Sequence, residues 1–274
     1  MPVITYKNIL VAATDDNAND YLCPAANISI SAQNKLESSR ILAPNQNNNF
    51  RIGGELNSKI SISFVACNHS GADGNWNFAS GVLQNFTGTS YIDSMLIGNV
   101  IFADCYLDGA SVEINPFGPV MVTADFTCLN PPINYAFIVS TGSWTDNLNS
   151  GIAYGFNTTI TNGTTLSDAN RESISYKINC DRTYTTSVGR TSPNNVFLNS
   201  VEKELSIKSH NIGTYIDYTG YGEMIVINPK NASGQSIISG GFGMSSNCKI
   251  TAQNLSVQEG DILMGDISLR EIIL

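Results

Sequence analysis

The sequence predicts a mainly β protein made of two similar units in tandem, each a small β-sandwich or barrel with one flanking α-helix. Three observations predict it. First, Val122-x-Ala124-Asp125-Phe126-Thr127-Cys128 is answered by Leu263-x-Gly265-Asp266-Ile267-Ser268-Leu269, with apolar, small, acidic and hydroxyl positions in the same order. Second, Val120, Val122, Ala124, Phe126 and Cys128 alternate with Met121, Thr123, Asp125 and Thr127, the period of a strand with one buried face. Third, one helix-like pattern sits at the equivalent place in each half.

The landmarks recur in chain order. Asn27-Ile28-Ser29-Ile30 pairs with Asn157-Thr158-Thr159-Ile160, and Ser61-Ile62-Ser63-Phe64 plus Cys67 with Ser173-Ile174-Ser175-Tyr176 plus Cys180. Tyr91-Ile92-Asp93 matches Tyr215-Ile216-Asp217, and Cys105 with Ser111-Val112 matches Cys248 with Ser256-Val257. The offset between partners grows along the chain, so the second copy is longer in its later part. At 274 residues there is room for two ordinary domains. The expected division is residues 1–131 and 132–274, at Asn130-Pro131-Pro132. Paired prolines cannot donate to a sheet ladder and end the first copy's last strand.

In the first copy the helix is expected from Phe78, Ala79, Val82, Leu83 and Phe86, capped by Asp73 or Asn75 and stopped by Gly88, with Gly81 as its weak point. In the second, Ser192-Pro193 opens a pattern carried by Val196, Phe197, Val201, Glu204 and Leu205. Residues 33–58, with Gln46-Asn47-Asn48-Asn49 and Gly53-Gly54, form a long polar insert that the second copy lacks. The second copy has its own insert around 218–240, including the strand-like Glu223-Met224-Ile225-Val226-Ile227. Gly240-Gly241-Phe242-Gly243 reads as a turn or bulge.

Charge and chemistry narrow the function. Lys plus Arg number 14 and Asp plus Glu 23, a net of −9, a poor surface for gripping nucleic acid. The N-terminus lacks the basic-then-apolar order of a secretory signal and no apolar run reaches the ~18 residues of a span, so a soluble protein made in the cytoplasm, without membrane insertion, is expected. The six cysteines form no CxxC pair or close cluster, several fall in apolar strand patterns, and they read as reduced core thiols. Cys67-Asn68-His69 has no third ligand nearby, so no metal and no cofactor is expected. With only His69 and His210, and no G-x-S-x-G elbow, the sequence offers no anchor for a hydrolase. Asp15-Asp16-Asn17 resembles a solvated loop, and Glu259-Gly260-Asp261 a hairpin turn.

Leu96-Ile97-Gly98-Asn99, Cys105-Tyr106-Leu107-Asp108, Val112-Glu113-Ile114 and the final strand opened by Pro119-Val120 resemble the closing strands of bacteriophage tail tube proteins. The resemblance covers most of the first copy and, more loosely, the second. It implies a barrel or sandwich with one helix, no enzymatic activity, and self-assembly into stacked rings that form a conduit for DNA. A two-domain chain of this kind implies a trimeric ring with pseudo-sixfold symmetry, in a virion tail assembled in the host cytoplasm. The implied neighbours are other copies, tape measure and baseplate proteins and a sheath, with DNA passing through unbound. Asp125 and Asp266 are then the candidate lumen-facing acids, and Asn47, Asn48, Asn49, Gly53 and Gly54 the candidate ring-stacking loop. The related fold also serves hub, tube-initiator and terminator rings. An adhesin or decoration protein, using Tyr215, Tyr218 and Tyr221 as a stacking surface, is the alternative from another class.

Overall fold

The computed structural model describes residues 10–33, 36–39, 49–52, 57–71, 74–130, 132–134, 151–161, 171–188, 193–210, 224–256 and 264–274. The first half contributes β1 (Leu10–Asp15), β2 (Asp20–Gln33), the hairpin β3 (Leu36–Ser39) and β4 (Asn49–Ile52), β5 (Asn57–Val65), the small pair β6 (Ser70–Gly71) and β7 (Gly74–Asn75), the helix α1 (Phe78–Ser80), β8 (Ile92–Ile97), β9 (Val100–Ile114) and β10 (Met121–Cys128). Pairing runs β10-β5-β2-β1-β8-β9 and returns from β9 to β10, so six antiparallel strands close into a barrel. Closure leaves these strands no edge to protect. Period-two alternation carries it: Ile60, Ile62 and Phe64 of β5 and Val122, Ala124 and Phe126 of β10 are buried inside, while the residues between them face outward.

Where the first helix is expected, α1 is a three-residue turn that starts at Phe78, after Asn77, and Asn75 belongs to β7. It widens into a π-turn over Gly81–Asn85, in which Phe86 N–H donates to Gly81 O at 2.9 Å, five residues back. Gly81 is the reason. A Cβ there would lie 2.8 Å from the Phe86 ring, so the glycine that lowers helix propensity is what lets Phe86 fold back. Phe86 then joins Phe78, Tyr21, Phe64 and Phe126 in a ring cluster with centroids 5.2 to 6.4 Å apart.

The second half contributes β11 (Ile133–Asn134), β12 (Ala153–Thr161), β13 (Arg171–Thr185), β14 (Asn195–His210), β15 (Ile225–Asn231), β16 (Phe242–Met244), β17 (Lys249–Ser256) and β18 (Met264–Ile273). The helix expected from Val196, Phe197, Val201, Glu204 and Leu205 is a strand, β14, paired with β13 on one side and β18 on the other. Its buried residues Val201 and Leu205 are four apart, a spacing that serves one face of a helix and one face of a strand equally, while Phe197, beyond the register shift at Asp181/Arg182, is exposed. Partners decide: Val201 lies opposite Cys180 and Ile273, and Leu205 opposite Tyr176 and Leu269.

That strand also breaks the equivalence of the halves. In the first, β5 pairs directly with β10; in the second, β14 stands between the matched strands β13 and β18. The closing hairpin is shared, β9 with β10 and β17 with β18. Among the described residues the second half closes no barrel of its own. Its sheet instead continues the first half's, in the order β9-β13-β14-β18-β17. A smaller sheet, β12-β15-β16, packs against it: Tyr176 meets Phe242 at 5.0 Å, its hydroxyl donates to Gly243 O, and Ile225, Ile227 and Met244 join the same core as the barrel. The strand-like 224–227 segment and the glycine-rich turn are thus β15 and the positive-φ entry to β16. Tyr215-Ile216-Asp217 and Glu259-Gly260-Asp261 lie outside the described residues.

The second half enters the barrel's end as a wedge. Ala153 N–H donates to Ala66 O and Val120 N–H to Ala153 O, both at 2.9 Å, and Gly155 N–H donates to Gly118 O at 3.0 Å. All six cysteines are buried and none is in a disulfide; burial pushes the Cys67 thiol up to about 12. Asp15, expected in a solvated loop, is buried and holds the β1–β2 turn. It accepts from the Asn17 and Asn19 amides at 2.9 and 2.8 Å, the Asn19 side chain and the Tyr21 hydroxyl. Burial raises its pKa, and the four donors together outweigh burial, so the net shift is downward.

Two stability predictions result. Gly155→Ala places a Cβ 1.8 Å from Asn115 O and should cost ~3 kcal/mol or more in chemical denaturation. Gly118→Ala, which meets nothing within 4 Å, should be close to neutral. Asp15→Asn should lower the melting temperature at neutral pH, a loss of about 1–3 kcal/mol. A depressed carboxylate stabilises above its unfolded pKa and loses that contribution as pH falls through the folded one. The gap between wild type and Asp15→Asn should therefore close as the melting series is carried below the ordinary carboxylate range.

Candidate functional site

Register alone assembles a wide polar surface. Directly opposed residues of an antiparallel pair share a face, so Ser29 of β2 stands beside Ser61 of β5, Ser61 beside Asp125 of β10, and Asp125 beside Gly109 of β9. Gly109 pairs with Asn179 of β13, Asn179 with Glu202 of β14, and Glu202 with Ile272 of β18. Two residues at a time, the same face of β18 returns through Arg270 and Ser268 to Asp266, which lies opposite Asn254 of β17. Eight strands thus present one outward face. Its side chains confirm the register: the Ser63 and Thr123 hydroxyls lie 2.9 Å apart, and Ser175 Oγ donates to Glu113 Oε1 at 2.8 Å.

The two acids singled out from the repeat, Asp125 and Asp266, are therefore on the same face of the same sheet. Asp125 is exposed and Asp266 half-buried. Around them the charge is mixed. Asp125, Glu202 and Glu204 ring an open depression over Gly109, whose missing side chain creates it, but Lys177 shares the rim and Arg270 pairs with Glu202. Lys208 is the direct neighbour of Asp266. Hydroxyls and amides, from Ser61, Thr123, Ser111, Ser175, Asn179, Ser206 and Ser268, fill most of the rest.

What aligns the two parts of this face is Arg182 of β13. Its Nε donates to Leu107 O at 3.0 Å and its Nη2 to Phe86 O and Gly88 O at 3.1 and 2.7 Å, while the guanidinium lies 5.6 Å from the Tyr106 ring centre. Tyr106 stacks on Tyr91 at 4.9 Å. Burial, then Tyr91 and Asp104, push the Tyr106 hydroxyl up to about 12, with Arg182 opposing. Beside it, Tyr184 donates to Asp108 Oδ1 at 2.7 Å and Thr127 to Asp108 Oδ2 at 2.5 Å. Asp108 is the extra residue where the β9–β10 register shifts, so a bulge aims its carboxylate at the incoming β13. Sequence reading missed Arg182, Tyr184 and Asp108, because backbone carbonyls and a bulge leave no residue pattern.

Of the candidate stacking loop, Asn47, Asn48, Gly53 and Gly54 lie outside the described residues, and Asn49 opens β4. Tyr215, Tyr218 and Tyr221 also lie outside them. Among the described residues no group of His, Cys, Asp and Glu is placed to hold a metal ion, and no helix is long and apolar enough to cross a membrane. Neither a protein-family model nor a curated protein matches the chain.

Because both acids point away from the core, Asp125→Lys with Asp266→Lys should leave the circular dichroism spectrum and melting temperature within about 0.5 kcal/mol of wild type. A large loss of stability would show that these side chains hold the sheet together.

Proposed function

We propose that this chain is a structural subunit of a bacteriophage tail, two tail-tube-like units (residues 1–131 and 132–274) that assemble as trimeric, pseudo-sixfold rings stacked into a DNA conduit. The observation that carries the reading is the eight-strand, mainly polar face: a hydroxyl-rich, mixed-charge wall is what a passage for DNA needs, since a basic wall would bind phosphate and an apolar one would resist wetting. The closed six-strand barrel supports the fold that the resemblance implies.

Edges supply the assembly chemistry. The barrel consumes one end of the main sheet, and among the described residues β17 has no partner on its outer side. Lys249 and the register shift at Ile250/Ala252 guard that edge in the free subunit, and a neighbouring copy would satisfy its backbone groups. The unequal halves favour, as a second reading, a hub, initiator or terminator ring, which needs ring closure without indefinite stacking.

Negative-stain images of purified protein test this directly. Stacked rings with threefold or pseudo-sixfold averages are expected, single rings indicate the second reading, and isolated monomers at every concentration overturn both. In virions, Asp125→Lys with Asp266→Lys should slow genome ejection severalfold; normal ejection would remove the acids from the lumen.

A further inference from the structure

Cys105 and Cys128 are direct partners across the β9–β10 pair. The neighbouring bond, Leu129 N–H to Asp104 O at 3.2 Å, makes 104 and 129 the hydrogen-bonded pair and therefore leaves 105 and 128 at the non-hydrogen-bonded position. At such positions Cα atoms approach to about 4.5 Å and side chains come closest, within the ~4.4–6.8 Å that a disulfide spans. Both side chains are buried, directly opposite one another on the inner face. Cys23 and Cys67 also interact, but Cys67 lies past the end of β5, bridged to Ile152, and Cys23 lies opposite Val11, so no register makes them direct partners.

We infer that Cys105 and Cys128 form a specific oxidation site, a cross-strand disulfide that fastens β10 to β9 when the protein meets a low-molecular-weight disulfide. The exchange balances: two thiols lose their protons and two electrons, one S–S bond forms, and one glutathione disulfide is reduced to two glutathione thiols. The site does not depend on the tail reading. It lies at the strand pair that closes the barrel, so oxidation closes a covalent loop through residues 105–128 and removes conformations from the unfolded chain.

The test is refolding of the reduced full-length chain in a glutathione redox buffer, where access to the thiols does not limit the outcome. Denatured thiol titration should then find two fewer than the six of the reduced chain, and non-reducing peptide mapping should join the Cys105 and Cys128 peptides. The melting temperature should rise by several degrees and fall back on reduction. Cys105→Ala with Cys128→Ala, refolded identically, should keep its remaining thiols. Six free thiols, a Cys23–Cys67 link instead, or the same thiol loss in the double variant would overturn the assignment.

Discussion

The structure depends on the length of one strand. β9 runs fifteen residues, from Val100 to Ile114, and its two ends serve different partners along one edge. Ile101 to Cys105 pair with β8 and close the barrel, whereas Gly109 to Ile114 pair with β13 and begin the second half's sheet. On the opposite edge β10 pairs with Cys105 to Glu113, and β11 with Val100 and Ile101. Asp104, within the first stretch, is held at φ 52° and hydrogen-bonded by Asn130, and the bulged Asp108 separates the two. These two irregularities turn the strand out of the barrel's curvature, and a regular strand would have no means to serve both partners.

From that constraint the rest follows. Because β13 adds to a strand whose face orientation the barrel has already set, the outward side of the barrel continues without a seam into the outward side of the second sheet. Arg182 then fixes the angle, its donors satisfying carbonyls that the chain leaves open after the helix. The guanidinium is planar and always charged, so it can hold three carbonyls and lie over Tyr106 at once; a lysine could not reproduce that geometry.

Much of the barrel was legible in the sequence, because period-two alternation in Ile60-Ile62-Phe64 and Val122-Ala124-Phe126 states which side is inside. The closing hairpins were legible for the same reason, as was the burial of the thiols. The β14 segment was not, since residues four apart satisfy both periods and only the flanking strands choose. Asp15 was misplaced because a carboxylate in an Asp-Asp-Asn run looks solvated until Asn19 and Tyr21 are seen to enclose it. The common face of Asp125 and Asp266 needed the register of every strand between them, which no local pattern contains.

The central claim is that β9 joins the barrel and the second sheet into one cooperative body with one continuous face. Hydrogen exchange resolved to single amides measures this most directly. The account predicts that the slowest amides of Ile174 to Asn179 exchange with the same free energy as those of the barrel strands β5 and β10, through a single global opening. Exchange of β13 and β14 at a distinctly lower free energy, while β5 and β10 stay protected, would show two independently opening units and contradict it.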